Sequence, residues 1–267
     1  MGLFDVHAHL THPQLQDDLA GVLQRAQAAG LTSIISNGLN PADNARVLAL
    51  AEAQPFVRPA IGFYPVDTVL PEMRAAGVDY PRHDEECTAE EGVAFVRTHV
   101  DKAFAVGEIG LDGYWVPEQF FSKQETIFSS LVEIAKSANK PIIIHTRKRE
   151  RRALELLQEL QVERVNWHCF GSKVKLARQI AAAGHYLSIP ANARRSESFT
   201  RMLQTLPREQ LLLETDCPYL SPTPGTRNEP QHVASTLAYA AELWQTSPEA
   251  ALAQFEQNYM RLFGVAP

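Results

Sequence analysis

PIIIHT, residues 141–146, sets three consecutive isoleucines between a proline and the polar pair His145–Thr146. A strand with one face in water alternates apolar and polar residues, whereas a strand covered on both faces reads as an unbroken apolar run. Three β-branched residues in a row therefore predict a strand buried on both faces, as in a parallel sheet covered by helices. Further short β-rich runs follow the same plan: LFDVHA (3–8), TSIISN (32–37), VRPAIG (57–62), AFAVGEI (103–109), RVNWHC (164–169), HYLSIP (185–190) and LLLETD (211–216).

Helical patterns separate these runs. Residues 14–29 place Leu15, Leu19, Val22, Leu23 and Ala26 on one stripe ahead of Gly30, a helix stop. Residues 41–54 do the same through Ala45, Leu48 and Ala51–Ala53, and segments 118–139, 149–161, 173–183, 196–206, 229–244 and 248–263 follow. Strand and helix alternating in this way predict an α/β fold of the (β/α)8 TIM barrel type. The length of 267 residues suits it, since such a barrel uses about 250. The alternative is an open doubly wound sheet, but no GxGxxG follows an early strand. Residues 65–100 are irregular and read as a long loop leading into a helix. No repeat, low-complexity tract or linker marks a second domain, so residues 1–267 are read as a single barrel domain.

Apolar residues make up 45% and charged residues 21%, an ordinary composition for a soluble globular chain. The net charge of −6 argues against coating nucleic acid by bulk electrostatics. It leaves room for an enzyme that meets phosphates through a local basic site and a metal. Cys87, Cys169 and Cys217 are widely spaced with no CxxC, which suits free thiols in a reducing compartment. No charged-then-apolar leader pattern opens the sequence and no apolar run approaches about 18 residues, so a cytoplasmic protein without membrane attachment is expected.

A barrel enzyme carries its chemistry at the carboxyl ends of its strands. Those ends hold His7 and His9 on strand one, Glu108 on strand four, His145 on strand five, His168 on strand six and Asp216 on strand eight. Singly, each has a bland reading as a hydrogen-bonded core histidine or a turn-capping carboxylate. Together, four imidazoles and two carboxylates suit a divalent ion such as zinc or manganese. Six donors exceed what one ion with an open position uses, so two ions sharing a bridging carboxylate fit the number. In DVHAH, residues 5–9, positions 5, 7 and 9 share a strand face. Asp5 then either orients a ligand imidazole or bonds neighbouring backbone.

The run HTRKRERR, residues 145–152, reads as opening the helix after strand five. Positive charge there opposes the helix dipole by a few tenths to about 1 kcal/mol per charge, a tolerated cost that points to a bound anion. Arg147 is the phosphate contact on that reading, and Arg194, Arg195 and Arg227 follow later strands on the same face. The bland reading is a solvated basic turn partly neutralised by Glu150. Trp115, Phe120, Phe121 and Phe170 either stack on a base or pack in the core. Cys169 and Cys217 read as packing residues, and His12, His83, His99, His185 and His232 receive no role.

DVHAH, GEIGLD, IIIHTR, WHCFGS and ETDCPYL, with PTPGTRNEP and the closing NYMRLFG, resemble the motifs of TatD-type metal-dependent deoxyribonucleases, a branch of the amidohydrolase barrels. The resemblance spans residue 4 to about residue 230 in the family's order. It implies that His7, His9, Glu108, His145, His168 and Asp216 bind two divalent ions (magnesium, manganese or zinc). Glu108 bridges them, and Asp216 serves as both ligand and general base for an activated water. Arg147, Arg227 and Tyr64 are the substrate contacts expected beside them. The implied activity is phosphodiester hydrolysis on DNA, as a 3′-to-5′ exodeoxyribonuclease acting on single strands or 3′ ends.

The chain departs from the family pattern in three places. GFYP puts Tyr64 where a histidine is usual, GLDGYW replaces GLDY, and HCFGS is a residue shorter than HCFTGS. Tyr64 can donate a hydrogen bond but is no cationic acid near neutral pH. A second enzyme reading is another amidohydrolase reaction, such as deacylation of mischarged aminoacyl-tRNA, amide or lactone hydrolysis, or deamination. The phosphotriesterase and dihydroorotase branches generally set a carboxylated lysine between the metals, and Glu108 in that place favours the nuclease-like branch. A third reading is a metal-bound, non-catalytic binding module, against which the six intact ligands argue.

Overall fold

The structure, a computed structural model, describes residues 2–81 and 87–267; His83 lies outside the described residues. The chain forms a (β/α)8 barrel. Its strands are β1 (Leu3–Ala8), β2 (Leu31–Asn37), β3 (Val57–Ile61), β4 (Ala105–Asp112), β5 (Ile142–Arg147), β6 (Val165–Trp167), β7 (Tyr186–Ile189) and β8 (Leu211–Leu213). They follow one another in sequence order within a single eight-stranded sheet. The helices are α1 (Pro13–Gln16), α2 (Leu19–Ala28), α3 (Pro41–Ala53), α4 (Leu70–Ala75), α5 (Ala89–His99), α6 (Phe121–Ser137), α7 (Glu150–Glu159), α8 (Val174–Ala182), α9 (Glu197–Thr205), α10 (Val233–Trp244) and α11 (Pro248–Phe263). Among the described residues no helix is long and apolar enough to cross a membrane.

By internal contacts the chain divides into two units. The first comprises residues up to Ser36, Gln54–Arg58 and Asn166–Pro267. Within it β1 pairs with β2 in parallel, and β7 joins β6 to β8. Asp216 N–H donates to the His7 carbonyl at 2.8 Å and His9 N–H to the Cys217 carbonyl at 2.9 Å, drawing the segments after β8 and β1 together. Phe4 packs its ring on Tyr259, centroids 4.8 Å apart, and the Tyr259 hydroxyl meets Ser33 Oγ at 2.9 Å, which ties α11 to the strands. The single helix read over 14–29 is two helices. Asp18 leaves helical geometry (φ −135°), and its carboxylate takes Arg25 at 2.7 Å. An aspartate competes poorly for a helix interior and well for a junction.

The second unit comprises Asn37–Ala53 and Pro59–Val165. In it β4 pairs with β3 and β5, aligning Gly110 with His145 and Asp112 with Arg147. Strand β4 runs on to Asp112, beyond the end read at residue 109, because Gly110 continues the strand at φ +146°. A Cβ there would meet the His145 carbonyl oxygen at 1.9 Å, so only glycine lets the two backbones approach this closely. The irregular 65–100 stretch contains α4 as well as α5, and α5 starts at a capping box between Thr88 and Glu91.

Candidate metal centre

In the first unit the DVHAH histidines come together at the end of β1. His7 Nε2 lies 3.2 Å from His9 Nε2, and both face Asp216 Oδ1, at 3.7 Å from His7 and 3.4 Å from His9. The His168 ring stacks on His7 with centroids 3.7 Å apart. His7, His9 and His168 are buried, and the Asp216 side chain nearly so. Asp216 stands just past β8 in the left-handed region, φ +57°, which aspartate tolerates better than most residues. Burial alone would raise its carboxyl. The hydrogen bond to His9 and the charges of His168, His7 and His9 outweigh burial and hold it below the usual carboxylate range.

These atoms fit a divalent ion. Donors at 2.0–2.2 Å around a tetrahedral centre stand about 3.3–3.6 Å from one another. The triangle of two imidazole nitrogens and one carboxylate oxygen, with edges of 3.2, 3.4 and 3.7 Å, has that size. Imidazole with carboxylate, and no thiol among these three donors, is the chemistry of zinc, manganese and similar ions.

Two acidic neighbours support the triangle. Of the two readings of Asp5, the backbone one holds: its carboxylate accepts from His7 N–H at 3.1 Å, Thr215 N–H at 2.9 Å and the Thr215 hydroxyl. Burial pushes it up to about 7 in spite of those bonds. Glu214, which sequence reasoning passed over, is fully buried. It accepts from Ser188 Oγ at 2.6 Å and Cys169 N–H at 2.8 Å, with Oε2 3.8 Å from His168 Nδ1. At that distance Glu214 borders the His168 ring without hydrogen-bonding it. Its signal lay in the ETD triplet, two residues before Asp216.

In the second unit Glu108 is buried and its Oε1 lies 3.0 Å from His145 Nδ1. The opposite nitrogen, Nε2, meets Asp112 Oδ2 at 3.0 Å. Burial by itself would lower His145. Its hydrogen bonds to Asp112 and Glu108 overcome burial and raise it to about 9. Asp112 receives no role from the sequence, where GLDGYW counts only as a departure from GLDY. Asp112 is a junction, and its other oxygen accepts from Tyr114 N–H at 2.7 Å and Trp115 N–H at 2.8 Å. Tyr64 lies edge-on to the His145 ring, centroids 5.0 Å apart.

The basic run differs from the sequence expectation in placement. Arg147 is the last residue of β5, and α7 begins at Glu150. The helix-dipole cost therefore does not fall on Arg147. Arg149 and Arg152 are neutralised by Glu125, and Arg152 also by Glu159. In the first unit Arg227 is held by Glu229 at 2.7 Å, Asp18 at 3.4 Å and the Gln14 carbonyl at 2.9 Å, and Arg194 pairs with Glu242. Phe170 is core, 6.0 Å from the Trp167 ring, and Trp115, Phe120 and Phe121 pack partly buried against the Val66–Met73 cluster. Among the described residues of the second unit, Tyr114 is the exposed large aromatic.

Buried histidines and carboxylates set at the carboxyl ends of barrel strands define the class: a barrel hydrolase built around divalent-metal donors. The profile of the family described as TatD related DNase matches residues 4–264. The uncharacterized metal-dependent hydrolase YabD of Bacillus subtilis is 32% identical over 98% of this chain and 99% of its own. The 3′-5′ ssDNA/RNA exonuclease TatD of Citrobacter koseri is 28% identical over 99% of this chain and 100% of its own. Among solved structures, the TatD homolog YjjV of Escherichia coli k12 superposes with a TM-score of 0.84 at 26% identity, covering 98% of each chain. The chain belongs to the TatD family of metal-dependent hydrolases, and it is an enzyme.

Proposed function

We propose that this enzyme hydrolyses phosphodiester bonds of DNA, as a 3′-to-5′ exonuclease on single strands in the cytoplasm. On this reading His7, His9, Glu108, His145, His168 and Asp216 hold two divalent ions. The observation that carries it is the His7–His9–Asp216 triangle, whose edges match the spacing of donors around one ion. Bound divalent ions supply Lewis acidity toward a phosphate oxygen and bring the pKa of water toward neutrality.

The chain's own residues do the rest. Asp216 is ionised at neutral pH and accepts the proton of the attacking water. Asp112 keeps the His145 ring in place through the bond to its Nε2, and Glu214 borders the His168 ring. Arg147 binds a substrate phosphate, and Tyr64 and Arg227 line the substrate's approach. The name of the Citrobacter koseri relative supports single strands and 3′ ends as the substrate.

The test is digestion of end-labelled single- and double-stranded oligonucleotides with magnesium, with manganese and with EDTA. Stepwise loss of nucleotides from the 3′ end with metal, and none with EDTA, is expected. Intact oligonucleotide under every metal condition would overturn the reading.

A further inference from the structure

We propose that Tyr114, Arg147 and Lys148 form a subsite for a phosphate of the substrate strand, in which Tyr114 is a positioning residue that holds the Arg147 guanidinium. It rests on the nuclease activity proposed above. The Arg147 guanidinium carbon lies 3.6 Å from the centre of the Tyr114 ring, and Lys148 Nζ lies 4.7 Å from the same centre. Tyr114 is nonetheless 46% exposed, and both basic side chains are exposed.

These two cations, like the exposed Arg151, differ from Arg149 and Arg152 in what balances them. Arg149 and Arg152, a few residues on, are bound by Glu125. Among the described residues no carboxylate pairs with the side chain of Arg147 or Lys148; Glu150 accepts from the Lys148 backbone N–H only, at 3.1 Å. Two adjacent cations without an anion, in a chain of net charge −6, mark a place where an anion is expected from outside.

The stacking geometry leaves the donors available. A guanidinium on an aromatic ring uses its flat face, while its N–H bonds lie in its own plane and point sideways. Arg147 is thus held in one orientation with a fork of donors suited to two oxygens of one phosphate. The backbone of Tyr114 is itself fixed. Its N–H and that of Trp115 donate to Asp112 Oδ1, whose partner oxygen Oδ2 meets His145 Nε2. The Trp115 ring abuts Tyr114 with centroids 5.0 Å apart. The backbone of Arg147 is anchored by the bond from Gly113 N–H to its carbonyl, 2.7 Å. One aspartate therefore sets both the ligand histidine and the ring that holds the phosphate-binding arginine. A side chain fixed in its bound orientation loses less freedom on binding.

The experiment measures single-stranded oligonucleotide binding across ionic strength in the full-length Asp216→Asn protein, with cleavage by the unsubstituted enzyme in parallel. Arg147→Ala should weaken binding roughly tenfold or more, the loss of a charge-assisted hydrogen bond. It should also flatten the slope of log affinity against log salt by about 0.7, one phosphate contact on a single strand. Tyr114→Ala should reproduce most of both effects, Tyr114→Phe should retain wild-type values, and Tyr114→Ala with Arg147→Ala should be no weaker than Arg147→Ala alone. Unchanged melting temperatures separate these effects from misfolding.

A loss on Tyr114→Ala with an unchanged salt slope would make Tyr114 a base-stacking platform and overturn the positioning role. Additive losses in the double variant would overturn it too. An unsubstituted enzyme that cleaves normally beside variants that bind like it would remove the subsite alone. Failure of the unsubstituted enzyme to bind or cleave any oligonucleotide would remove the nuclease reading and the subsite with it.

Discussion

In the first unit His7 and His9 turn their Nε2 atoms toward each other and toward one carboxylate oxygen, whereas in the second unit His145 stands between two carboxylates. The first arrangement brings two imidazole nitrogens to 3.2 Å, a spacing that a shared cation rewards. The second is balanced from within, because an imidazole flanked by Glu108 and Asp112 takes up a proton readily. The same residue types therefore serve differently according to what surrounds them. Among the first unit's donors a divalent ion meets atoms already spaced for it, whereas the His145 nitrogens each already face a carboxylate oxygen.

The largest expected effect breaks the first arrangement. Asp216→Asn keeps the shape and loses the ionised oxygen, so turnover should fall by at least about 10³-fold while the circular dichroism spectrum stays that of the folded enzyme. Glu108→Ala should do the same from the second unit. Near-normal turnover on labelled oligonucleotides in either variant would mean that the roles are misassigned.

A smaller effect sharpens the contrast at His145. Asp112→Asn preserves an acceptor oxygen for Tyr114 and Trp115 N–H but replaces the negative charge facing His145 Nε2. Loss of a carboxylate that orients a ligand histidine typically costs roughly 10–100-fold in metal affinity or activity. Activity titrated against manganese should shift to higher metal concentration by that factor. A curve that overlays the unsubstituted enzyme would deny Asp112 this role.

The smallest effect concerns a carboxylate whose cation cannot leave. Burial would raise Glu229, but hydrogen bonds from Arg25 and Arg227 dominate and bring it to about 2. A carboxyl lowered on folding contributes stability that is complete above its unfolded value, near 4.5, and is lost as pH falls toward 2. The gap in melting temperature between the unsubstituted enzyme and Glu229→Gln should therefore be constant above about pH 5 and narrow between pH 4.5 and 2. A gap independent of pH through that window would show that the guanidinium pairing adds no stability.

The eight strands were legible because burial on both faces leaves a direct mark on composition, as in Ile142–Ile144, and the ends of those runs carried His7, His9, Glu108, His145, His168 and Asp216 in plain view. Some choices depended on neighbours far away in the chain, which local periodicity does not record. Asp5 took backbone partners because β8 brings Thr215 beside it, 210 residues on. Glu214 and Asp112 take their roles from Ser188, Cys169 and His145, partners 26 to 45 residues away in the chain. The break at Asp17–Asp18 follows from Arg25 and from Arg227, 209 residues away from Asp18. Sequence by itself determined which residues are buried and which chemistry stands at the strand ends, since hydrophobic spacing and residue type are local properties. Only the tertiary structure decided which carboxylate faces which imidazole, and which cations are already neutralised, because hydrogen bonds and ion pairs depend on distances between groups that the chain order leaves far apart.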